Sequence, residues 1–296
     1  MADAQKKTTS RRELARNPRF EQVSPEVGEL DEAAVDESMR DDPDETMAML
    51  ADLTAATDPK LRELARRLAG RLFLELSRRG PARPRGVGKL VEQRYRPDAG
   101  DLDVDASMDA LVDAGGDPRR VDPERLRVRG WVQPGTALCL LVDRSGSMGG
   151  KPLATSAVAA AAVAWRSPAD YSVLAFGKDV VVAKSQDVVK SGEQVVSDVL
   201  SLRGFGTTDL AGALQVARDQ LGRSRAGRKV AILLSDCRAT VEGDPVEAAR
   251  GIDELVVVAP EGDSDEAAAF ARRAGARLTT VRGPSSVVEA LREVLG

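Results

Sequence analysis

A chain of 296 residues has room for one large α/β domain with a smaller companion, or for two modest domains. Its net charge of −4 gives neither nucleic acid nor an anionic membrane a hold, and scarce aromatics leave the core to aliphatic side chains. Without histidine there is no Ser–His–Asp or Cys–His nucleophile and no imidazole-bound zinc, and two cysteines, Cys139 and Cys237, cannot build a disulfide framework or a Cys-rich metal site.

Residues 1–12 are polar and basic with no apolar stretch, so no secretory signal is expected there. The longest apolar run, 157–165, is far short of a membrane span. With sparse cysteines these features predict a cytoplasmic protein. Residues 1–43 open basic and turn acidic through Glu26, Glu29, Asp31, Glu32, Asp36, Glu37, Asp41 and Asp42. They are expected to form a disordered tail or short fragile helices.

Residues 44–123 are expected to be a helical region followed by a basic linker. Met47, Leu50 and Leu53 open an apolar stripe, and a stronger helix spans 59–79, with Asp58 placed to cap it and Pro59 in its first turn. Leu61, Leu64, Leu68, Leu72 and Leu76 form its apolar face, and Gly80 and Pro81 stop it. Arginines and lysines from Arg78 to Arg96, set among Pro and Gly, read as an exposed linker, because only Tyr95 interrupts them and nucleic-acid binding needs more aromatics. A short helix over 106–114 follows. Alternation at Leu126, Val128 and Val132 predicts a strand leading into the main domain, 124–296.

That domain alternates strands (137–142, 171–176, 180–183, 230–234, 255–259, 277–281) with helices (152–166, 193–202, 210–221, 246–250, 265–274, 285–295). The pattern predicts a doubly wound, mostly parallel α/β sheet. The three residues Gly177, Lys178 and Asp179 make a hairpin-length connection, so one edge strand is expected to be antiparallel.

The first of these strands runs into Asp143-Arg144-Ser145-Gly146-Ser147. In an open parallel sheet, ligands bind beyond the carboxyl ends of strands, where connections diverge. An acid and two hydroxyls on alternating residues there turn three oxygens towards one point. Thr208, at the start of a helix, and Asp236, at the end of another strand, add two more. An all-oxygen set suits a hard cation, Mg²⁺ first, with Mn²⁺ or Ca²⁺ as alternatives.

Together these residues resemble the metal-ion-dependent adhesion site (MIDAS) of von Willebrand factor type A (VWA) domains. Asp143, Ser145 and Ser147 match its first element, Thr208 its second-loop threonine and Asp236 its strand-ending aspartate, across residues 135–296. Cys237 departs from the pattern, standing where relatives often carry glycine, which is expected to alter the loop's shape without removing a metal oxygen. The preceding segment, with Asp101-Leu102-Asp103-Val104-Asp105 and Gly115-Gly116-Asp117-Pro118, is similar to bacterial CoxE-like proteins. Such proteins commonly work with a MoxR-type AAA+ ATPase in complex assembly or metal insertion. The resemblance implies a metal-dependent protein-binding adaptor rather than an enzyme. Its cation would take a partner's glutamate or aspartate carboxylate, and the last helix, 285–295, would shift on engagement.

Two alternatives belong to other classes. One is a stand-alone interaction module without an ATPase partner, which would not need the helical region. The other is a Mg²⁺-dependent phosphohydrolase of the haloacid dehalogenase type, which wants a second carboxylate where this chain has Ser145. A Gly-x-Ser-x-Gly elbow, a Gly-x-Gly-x-x-Gly turn and a P-loop are all absent from the sequence.

Overall fold

A computed structural model describes residues 8–78, 89–94, 101–115, 121–132, 135–144, 149–202, 204 and 206–295. The chain divides into two units, one made of residues 1–83 with 136–296 and the other of residues 84–135.

The larger unit begins with five helices: α1 (Arg11–Leu14), α2 (Phe20–Val23), α3 (Glu32–Asp41), α4 (Pro43–Leu53) and α5 (Pro59–Arg78). Residues 8–42, for which the sequence supports disorder or short helices, therefore carry three of them. Phe20, Val23 and Val35 are fully buried there, so a few widely spaced apolar side chains dock an otherwise charged stretch. Capping is local and legible: Asp31 accepts from the backbone of Ala33 and Ala34, and Asp42 from Glu45. Asp58, placed by sequence as a cap, accepts from the N–H groups of Lys60 (2.7 Å) and Leu61 (3.1 Å). The buried face of α5 is Leu61, Ala65, Leu68, Ala69 and Phe73. Leu64, Leu72 and Leu76, expected on that face, are only half-buried, with Leu72 and Leu76 at the edge of the core.

The smaller unit holds β1 (Lys89–Arg94), β2 (Asp101–Leu102), α6 (Met108–Asp113) and β3 (Arg127–Val132), with β3 central and antiparallel to both other strands. The basic stretch expected to be a linker thus contains a strand. Asp103 is buried and pairs with Arg129 at 2.6 Å. Ser107 bonds both the N–H and the carbonyl of Arg127.

The rest of the larger unit alternates as expected: β4 (Thr136–Asp143), α7 (Gly150–Arg166), β5 (Tyr171–Phe176), β6 (Val180–Lys184), α8 (Gly192–Leu200), α9 (Leu210–Gly222), β7 (Arg228–Leu234), α10 (Pro245–Ala249), β8 (Glu254–Pro260), α11 (Asp265–Ala274), β9 (Arg277–Val281) and α12 (Pro284–Leu295). The sheet order is β6-β5-β4-β7-β8-β9, parallel throughout except for the β5–β6 edge hairpin. Alternate residues of the same strands feed opposite cores. Leu138, Leu140 and Val142 face α7, α8 and α12, and the helices α4 and α5 complete that side. Ala137, Cys139 and Leu141 face α9, α10 and α11. Period-two alternation with both sets apolar is what a strand buried on both faces requires. At the opposite end from the site, Glu254 binds Arg228 through two bonds (2.8 and 2.9 Å) and Arg277 through one (2.8 Å), and Arg228 reaches the carbonyl of Leu295 (2.8 Å). These arginines hold the Glu254 carboxyl below its usual range. Among the described residues no helix is long and apolar enough to cross a membrane.

β4 positions the site. The chain leaves it towards β5 on one side, whereas β7 lies on the other. The connections therefore diverge at the carboxyl ends of β4 and β7, which is where a crevice opens in such a sheet.

Candidate metal centre

Asp143 is the last residue of β4, and Asp236 follows β7 by two residues. The two strand ends are tied together by Ser235, whose Oγ donates to Asp143 Oδ2 at 2.6 Å and accepts from the Cys237 N–H at 2.8 Å. Asp236 Oδ1 accepts from the Arg238 N–H at 3.0 Å, leaving its second oxygen for another partner. Both aspartates line a cavity of about 360 Å³. Lys151 and Arg282 stand on its wall with apolar Pro152, Leu234 and Val281. Ser145 and Ser147 lie outside the described residues.

Thr208 sits two residues before α9, on the loop that Asp209 closes by capping the helix at Gly212 (2.8 Å). Its backbone is held on both sides: its N–H donates to Thr240 Oγ1 at 2.8 Å, and its carbonyl accepts from Thr240 and Val241. The Asp209 N–H donates to the Gly177 carbonyl, tying the same loop to the β5–β6 hairpin. Thr208 is fully buried, and its Oγ1 has no hydrogen-bond partner. A buried hydroxyl left unpaired costs roughly 1–3 kcal/mol. The backbone of Thr208 is therefore well satisfied while its one side-chain oxygen is not.

The donor chemistry is hard. Burial pushes the thiol of Cys237 up to about 12, with the carboxylates of Asp236 and Asp143 adding to the shift. Burial likewise takes Cys139 to about 12. Neither offers a thiolate near neutral pH, so the oxygens of Asp143, Asp236 and Thr208 remain. Among the described residues no group of three or more Asp, Glu, His or Cys side chains gathers to hold a metal. A site here must then rest on two carboxylates with hydroxyls. The orphaned Thr208 oxygen fits such a cation.

Cys237 takes φ +63°, the left-handed region that favours glycine. The loop keeps the backbone that glycine would have, and the cysteine bears the strain. Cys237→Ala and Cys237→Gly both lose the buried sulfur, yet the glycine variant is expected to be more stable by about 1 kcal/mol, the reverse of the usual order. Urea denaturation of the pair measures this; an alanine variant of equal stability would mean that no such strain exists.

Sequence reasoning missed Ser235 and Thr240. Each acts through one hydrogen bond to a residue 92 or 32 positions away. The only available signal was their place on strand-end loops already singled out.

The family model described as "VWA domain containing CoxE-like protein" matches residues 64–292. No curated protein is matched. Among solved structures, a von Willebrand factor type A protein from Catenulispora acidiphila is similar at 16% identity and TM-score 0.42, over 57% of this chain and 43% of that one. Manganese-loaded Plasmodium vivax TRAP protein gives 18% identity and TM-score 0.42, over 55% and 74%. Proximal thread matrix protein 1 from the mussel byssus gives 15% and 0.42, over 54% and 47%. This chain thus spans less than half of two of these proteins, and the family match carries the assignment.

Proposed function

Because the chain belongs to the family of CoxE-like proteins that contain a VWA domain, we propose that it is a metal-dependent protein-binding adaptor. Asp143, Ser145, Ser147, Thr208 and Asp236 would hold a divalent cation, Mg²⁺ on the strength of an all-oxygen donor set. When bound, the cation supplies a positive centre that accepts a glutamate or aspartate carboxylate from a partner protein. The buried, unpaired Thr208 Oγ1 is the observation that carries this reading. Ser235 orients Asp143 by donating to one of its oxygens. Lys151 and Arg282, on the wall of the adjoining cavity, are each paired with a carboxylate, Glu45 and Glu261, so the preference for an acidic segment rests on the cation itself. The partner proposed is a MoxR-type AAA+ ATPase of the cytoplasm, with the present chain acting as adaptor and not as an enzyme.

The test is a pull-down from cell extract with Mg²⁺, with chelator, and with the Asp143→Ala variant, retained proteins being identified by mass spectrometry. Retention of an AAA+ ATPase only with Mg²⁺ and intact Asp143 is expected. A different acidic protein retained under the same rule would favour a stand-alone module. Retention of the ATPase under all three conditions would overturn the metal-dependent mechanism.

A further inference from the structure

Residues 101–115 hold five aspartates and neither lysine nor arginine. The winding of the chain sorts them. The Ser107 N–H donates to the Asp103 carbonyl and the Leu111 N–H to the Ser107 carbonyl, each four residues back, so helical winding extends beyond α6 to Asp103. One line of side chains along it turns inward. Asp103 pairs with Arg129, Ser107 bonds the backbone of Arg127, and Ala110 and Ala114 are buried. Their spacing of four, three and four residues is that of a single helix face.

Two further lines look outward. Val104, Met108 and Val112 stay 51%, 46% and 66% exposed. Beside them run Asp105, Asp109 and Asp113, exposed as well. Single exposed valines are ordinary on a protein surface. Three apolar side chains spaced four residues apart are a continuous strip, and the inward contact is complete without it.

The acidic line decides what can cover the strip. Asp113 is answered by Arg125 at 2.8 Å and the buried Asp103 by Arg129 at 2.6 Å. Asp105 and Asp109 have no ion-pair partner among the described residues. An anionic membrane or a nucleic acid would bring like charge to these carboxylates and be repelled. An acidic protein segment, of the kind proposed for the cation, would be repelled in the same way. A surface with apolar side chains and lysine or arginine beside them is complementary to both lines at once. A helix presents such a pair of lines directly, because residues three and four apart share a face.

We propose that the outer face of α6 docks a basic amphipathic helix of a partner protein. The contact needs no metal and goes beyond the carboxylate-binding reading above, so either can fail without the other.

The test uses the full chain and, as probe, a fluorescein-labelled helical peptide of leucine and lysine read by fluorescence anisotropy. Its leucines stand at i, i+3, i+4 and i+7. The wild type is expected to bind it equally in chelator and in Mg²⁺, and to bind a reordered peptide without an apolar face at least about ten-fold more weakly. Val104→Ser, Met108→Ser and Val112→Ser together keep every charge, whereas Asp105→Asn with Asp109→Asn keeps every apolar group. Each set is expected to weaken binding about ten-fold or more, and the asparagine set also to flatten its dependence on salt. Binding that the asparagines reduce and the serines leave unchanged would be the pull of an acidic chain on any cationic peptide, and would overturn the proposal. Binding seen only in Mg²⁺ would move the contact to the metal site and overturn it too. So would a wild type that does not bind; a loss of urea stability in the serine variant would then show that the chain itself covers the strip. A dimer in sedimentation velocity that the serines abolish would give the face to a second copy instead.

Discussion

Thr208→Val is expected to raise the melting temperature of the metal-free protein while weakening its hold on a divalent cation by at least about ten-fold. The two effects share one cause. Thr208 Oγ1 is buried without a partner, so in the absence of a ligand the hydroxyl is a net cost of roughly 1–3 kcal/mol. Valine keeps the branched shape and the backbone bonds to Thr240 and Val241, and removes only the stranded oxygen. A gain of about 1 kcal/mol in a domain of this size corresponds to roughly 2–4 °C. Thr208→Ser retains the oxygen and should keep most of the affinity. Scanning calorimetry in chelator and in Mg²⁺ separates the contributions. For the wild type, Mg²⁺ should raise the transition through binding to the native state alone; for the valine variant it should raise it far less. If valine destabilised the protein equally with and without metal, Thr208 would be an ordinary core residue and the site would lose its main support.

The central strands were legible because both of their faces are buried. Runs such as Leu138 to Val142 and Val256 to Val258 carry no polar interruption, and short connections around Gly177 mark the antiparallel edge. The aspartates of the site could be read by their position at strand ends, and Thr208 by its place before a helix. The groups that hold these residues could not be read. Ser235 and Thr240 bond to residues 92 and 32 positions away, and no local period records such a pairing. Helix α5 was legible in part: Leu61 and Leu68 of the leucine stripe are buried and Leu72 and Leu76 pack against the core, but the stripe does not reveal Ala65, Ala69 and Phe73 beside them, because periodicity weighs hydrophobic bulk. In residues 8–42 the acidic side chains outnumber the docking ones, yet Phe20, Val23 and Val35 are fully buried.

Phe73→Ala is expected to cost about 3–5 kcal/mol, the usual price of a large cavity in a closed core, and to lower the stability of the whole larger unit in one transition. The reason lies in α7. Leu153, Ala154, Ala157, Val158, Ala160, Ala161, Val163 and Ala164 are all buried, which leaves this helix without the solvent face of an ordinary sheet-covering helix. One side of it meets the strands, and the other meets α4 and α5. Phe73, fully buried, sits on the α5 face that packs against α7 and α8. The N-terminal helices are thus a third layer of the sheet domain. Trp165, near the end of α7 and stacked under the Arg78 guanidinium, reports on that layer directly once Trp131 is replaced by phenylalanine. Urea curves from Trp165 fluorescence and from far-ultraviolet circular dichroism should coincide in the wild type and shift together in the Phe73 variant. Two separated transitions, with only the fluorescence moved, would show instead that residues 8–78 fold as an appended module.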